Sequence, residues 1–80
     1  MIHALFRPAA TRRAEFIEKA KAAKDNDRLY AAGYYYEQAA RLATSREERE
    51  SLQREATRCD RAASVIEQVL STRHHGHVPA

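Results

Sequence analysis

The chain has no tryptophan, a single cysteine, two glycines and two prolines in 80 residues, and each scarcity removes a class of protein. One cysteine, Cys59, cannot form an internal disulfide, which argues against a small secreted scaffold held by bridges and for a reducing, cytoplasmic setting. Pro8 stands near one end and Pro79 at the other, so nothing between them need break a helix. No glycine-rich loop is present to cradle a phosphate. No apolar run approaches the roughly 20 residues that span a bilayer. The start lacks the apolar segment of a secretory signal, although Arg7, Arg12 and Arg13 precede the first acid, as in mitochondrial presequences.

What is present is a helix-forming composition. Alanine, glutamate, arginine, leucine and lysine dominate, and β-branched residues are too scattered for strands. The net charge of +3 lies in residues 1–28, which hold seven Lys/Arg against four Asp/Glu, while the rest of the chain balances. No stripe of closely spaced basic residues with interleaved aromatics follows, and this argues against nucleic acid as a partner. The length admits one small domain that buries only about 60% of its unfolded surface.

The pattern divides into three helices. Residues 1–10 read as an N-terminal extension, and a first helix over about 11–24 starts between Pro8 and Thr11, with Phe16, Ile17, Ala20 and Ala23 on one face. Asp25-Asn26-Asp27 interrupts the pattern and can cap a second helix over about 28–43. Thr44 with Glu47 and Ser45 with Glu48 form two overlapping capping boxes, which open a third helix over about 45–71. In that helix Leu52, Ala56, Cys59, Ala63, Ile66 and Leu70 repeat at spacings of four and three, a heptad-like seam expected to be core. Ala62, Val65 and Val69 form a second stripe beside it. Residues 72–80 read as a disordered tail.

Short connections between long helices predict an all-α, antiparallel up-down-up three-helix bundle spanning residues 11–71. The same seam also fits a helical hairpin completed by a second copy of the chain, so a self-associating bundle with a structural or assembly role remains the second reading.

Three consecutive tyrosines fall in three environments. Tyr36 shares a face with Leu29, Ala32 and Ala39 and belongs to the core; Tyr34 pairs with Tyr30 in water. Tyr35 falls on a flank with Leu42 that, opposite Ala62, Val65 and Val69, makes a candidate groove for another helix. Arg58 and Arg61 lie at its rim, where the bland alternative is a solvated face of i,i+4 pairs such as Glu50 with Arg54.

Leu29, Ala32, Tyr36 and Ala39 in the second helix, followed by Asp60-Arg61-Ala62 in the third, resemble the MIT (microtubule interacting and trafficking) domain over about residues 14–70. Matching Asp60-Arg61-Ala62 puts Cys59 at the groove position, and matching the apolar seam puts Asp60 there. The resemblance implies a three-helix protein-binding adaptor that takes short helical or extended peptide motifs, such as ESCRT-III-like C-terminal tails, between its helices. A cytoplasmic protein of vesicle trafficking, recruited to membranes through its partners, is the implied setting.

Other chemistry is poorly represented. No nucleophile, base and orienting residue fall into a recognisable catalytic order, so no enzyme activity is expected. His74, His75 and His77, and His3 near the N-terminus, are possible metal ligands without a fixed scaffold, and no cofactor or resident metal is expected.

Overall fold

The computed structural model describes residues 8–75, and within them three α-helices and no strand. They are α1 (Ala9–Asp25), α2 (Leu29–Arg41) and α3 (Arg46–His75). At 1.5 Å per residue the 17, 13 and 30 residues correspond to rods of about 26, 20 and 45 Å. The all-α class read from composition is what forms. Residues 1–7 of the expected N-terminal extension and 76–80 of the expected tail lie outside the described residues, whereas Ala9 and Ala10 belong to α1 and residues 72–75 to α3.

The helix ends show how local chemistry sets the boundaries. Pro8 is the N-cap of α1, its carbonyl accepting from the Arg12 amide, so Thr11 lies inside the helix and does not cap it. At the other end Asp27 adopts φ 59°, the Arg28 amide donates to the Ala23 carbonyl at 2.8 Å, and that of Asp27 donates to Lys24 at 3.1 Å. This is a Schellman motif with aspartate where glycine is usual. Asn26 adds a side-chain bond to the Ala22 carbonyl. The acidic run therefore closes α1, while α2 opens at Arg28 without a side-chain cap. The start of α3 is capped by Ser45, whose hydroxyl accepts from the Glu48 amide at 3.1 Å. The Glu48 carboxylate turns instead to Arg13, 3.0 Å away. The approach is an ion pair without a well-aligned hydrogen bond, since the same oxygen is otherwise buried without a partner.

Helix α2 is the central element, with α1 and α3 packed along it and barely touching each other. Phe16 of α1 stacks on Tyr35, and Arg13 donates to the Leu42 carbonyl at 3.1 Å. On the α3 side Tyr30 bonds Glu67, and Gly33 lies against Ala56 and Asp60. In both pairs rising numbers on one helix meet falling numbers on the other, so each neighbour runs opposite to α2.

The core is built from small residues: Ala20, Ala32 and Ala39 are wholly buried, with Ala40, Ala56, Cys59, Leu52 and Tyr36 around them. Alanine on facing helices lets the backbones approach closely but removes little apolar area from water per residue. Gly33 carries this furthest, for a Cβ there would stand 3.2 Å from the Ala56 carbonyl and collide with the Asp60 carboxylate. A mid-helix glycine, costing about 1 kcal/mol of helix propensity, is the condition of that close packing. Burial raises the Tyr36 phenol above its ordinary 10.0 and the Cys59 thiol above 9.0, with Lys24 partly opposing the shift at Cys59.

Candidate functional site

The seam of α3 is buried only as far as there is helix to cover it. Leu52, Ala56, Cys59 and Ala63 are buried against the rest of the bundle, whereas Ile66 and Leu70, the next two members of the same repeat, are 49% and 57% exposed. Periodicity gives the face a residue occupies and not whether a neighbour reaches it, and α2 is too short to follow α3 that far. Ile66 and Leu70 are therefore surface residues, a correction to the core role expected from the seam. Beyond Ala63 every residue through Thr72 is exposed, so α3 overhangs the bundle by about a third of its length.

The exposed end of α3 and the start of α2 form a corner. In the corner a shallow groove of about 500 Å³ is lined by Ala63, Ile66 and Leu70 of α3 and by Leu29, Tyr30 and Ala31 of α2, with the charged Asp27, Arg28 and Glu67 also on its surface. Tyr30 leans across the corner and donates its hydroxyl to Glu67 Oε2 at 2.7 Å, which holds the phenol above its ordinary pKa. The contact pins Tyr30 to the helix wall and replaces the expected pair of Tyr30 with Tyr34, whose ring instead meets Tyr35 edge-on at 5.5 Å.

The residues expected to line a single groove lie in four places. Tyr35 is half-buried on the α1 side of α2, 6.3 Å from the Phe16 ring, with the Lys19 ammonium over both rings at 5.8 and 5.9 Å. Leu42 is half-buried where α2 ends. Arg58 and Arg61 lie on the solvated outer face of α3 with Gln53, Arg54 and Thr57, and Arg58 pairs with Glu55 at 3.2 Å. Ala62 is exposed, and Val65 and Val69, 56% and 53% exposed, border a shallow depression with Gln68 and Thr72. The structure thus brings Val65 and Val69 together on the overhang and leaves Tyr35 on the α1 flank of α2 and Leu42 at its C-terminal end. The corner residues Leu29, Tyr30 and Ile66 were missed because sequence periodicity assigned Leu29 and Ile66 to the core and Tyr30 to water.

Charge also changes along α3. Ten of the sixteen residues 46–61 are charged, but among residues 63–72 only Glu67 is, and Tyr30 engages it. Among the described residues no helix is long and apolar enough to cross a membrane, and no group of three or more His, Cys, Asp or Glu is placed to hold a metal ion. Compared with known proteins, the chain matches no family model, no curated protein and no solved structure.

Proposed function

We propose that this chain is a non-catalytic protein-interaction module whose docking surface is the overhang of α3 together with the corner it makes with the start of α2. The observation that carries this reading is the exposure of Ile66 and Leu70 on a seam whose preceding members are buried. Val65, Ile66, Val69 and Leu70, each about half exposed, leave roughly 1 kcal/mol of burial apiece unrealised, a contiguous patch of the kind that marks helix-in-groove recognition. An amphipathic helix laid along the overhang would cover all four and end in the corner beside Tyr30. The resemblance to MIT domains supports the same class of function, a module that takes a helix between helices, and ESCRT-III-like tails are the ligands it implies.

The test is a residue-by-residue NMR titration of the labelled chain with amphipathic helical peptides. Shifts concentrated at residues 29–31 and 63–70 are expected. Shifts centred on Tyr35 and Leu42, or on Arg58 and Arg61, would move the site, and no shifts with any peptide at concentrations where the chain is monomeric would overturn the reading.

A further inference from the structure

We infer that the occupant of this surface is a second copy of the same chain, the two overhangs pairing antiparallel so that each fills the corner of the other; the inference rests on the docking reading above. The unburied stretch continues the interface that holds α3 to α2: Ile66 and Leu70 extend the spacing of the buried Cys59 and Ala63 without a break, so the chain already carries the helix face that fits such a seam. A surface that is both the projecting helix and the corner receiving one is self-complementary, as a two-fold interface requires.

Charge favours the second copy over a charged peptide. The overhang presents only Glu67 among residues 63–72, already bonded to Tyr30, and the corner adds Asp27 and Arg28, one charge of each sign, so neither copy brings a net like charge to the contact. A tail of strongly one sign would meet Asp27 and Arg28 together at the corner, and so no net counter-charge. The covered part of α3 ends near Ala63, which places the two-fold near Leu70, with the tip of each α3 beside the start of the partner's α2.

The experiment is sedimentation of the 80-residue chain over a concentration series, with cross-linking in a Cys59→Ala background. A reversible dimer is expected, and Ile66→Asp with Leu70→Asp should weaken it on the order of 100-fold or more while helicity persists. Leu70→Cys, at the two-fold, should form an intermolecular disulfide. Ile66→Cys should not, because four residues from the axis the two sulfurs' backbones stand about 12 Å apart along the helices, beyond disulfide reach. Efficient linking through Ile66→Cys would overturn the antiparallel arrangement, and a dimer indifferent to the double aspartate variant would overturn the interface. A monomer at all concentrations that still shows peptide shifts in the corner would overturn the second copy alone. A monomer without such shifts would overturn the docking reading with it.

Discussion

Gly33 of α2 lies directly against Ala56 of α3: the space a Cβ on Gly33 would need is held by the Ala56 carbonyl at 3.2 Å and by the Asp60 carboxylate. Gly33→Ala is therefore expected to destabilise the fold by about 1 kcal/mol despite its better helix propensity, and Gly33→Val by roughly 3 kcal/mol. Chemical denaturation measures both. Asp60→Ala should recover part of the Gly33→Ala loss, since a flexible carboxylate is one of the two obstacles; an unchanged loss would assign it to the backbone contact alone.

Asp27 sits at φ 59°, a conformation that costs a residue with a Cβ about 1 kcal/mol. Asp27→Gly should stabilise the chain by about 0.5–1 kcal/mol, because the Schellman bonds to Ala23 and Lys24 come from backbone amides and survive the change. A thermal midpoint raised by a few degrees is the expected readout, and a lowered one would show that the aspartate side chain contributes more than its strain costs.

The two halves of the α3 seam should respond differently to truncation. Leu52→Ala removes a buried side chain and should cost about 2–3 kcal/mol, whereas Ile66→Ala should change the stability of the dilute monomer by no more than about 0.5 kcal/mol. Denaturation at low micromolar concentration compares them directly, and equal losses would place Ile66 in the core after all.

Stability should decline on the alkaline side. The Cys59 thiol and the Tyr36 phenol both ionise less readily in the folded chain than their ordinary values of 9.0 and 10.0, chiefly through burial. The unfolded chain therefore releases these protons first, and the stabilisation is complete below pH 9 and falls as pH rises past about 9 and then 10. Thermal midpoints from pH 7 to 11 under reducing conditions test this; Cys59→Ala should remove the earlier part of the decline and keep the later.

The helix class, the small-residue core and the inward turn of Tyr36 were legible because each follows from local propensity or from the 3.6-residue period. Ser45 was legible as a cap for the same reason. The corner was not. Ile66 and Ala63 have the same sequence signature, and what separates them is that α2 is only 13 residues long while α3 has 30. That difference depends on where the Schellman turn at Asp27 and the end of α2 at Leu42 fall. Gly33 was equally silent, since its meaning lies in the carbonyl of a residue 23 positions away.

The overhang also gives one continuous helix two lifetimes. Amides in the part of α3 covered by α2 are released to solvent only when the bundle opens, while those beyond Ala63 belong to a segment of about twelve residues, too short to be firmly helical alone in water. Hydrogen exchange should therefore step from slow to fast partway along an unbroken helix, and the position of that step reports directly whether anything is docked on its far end.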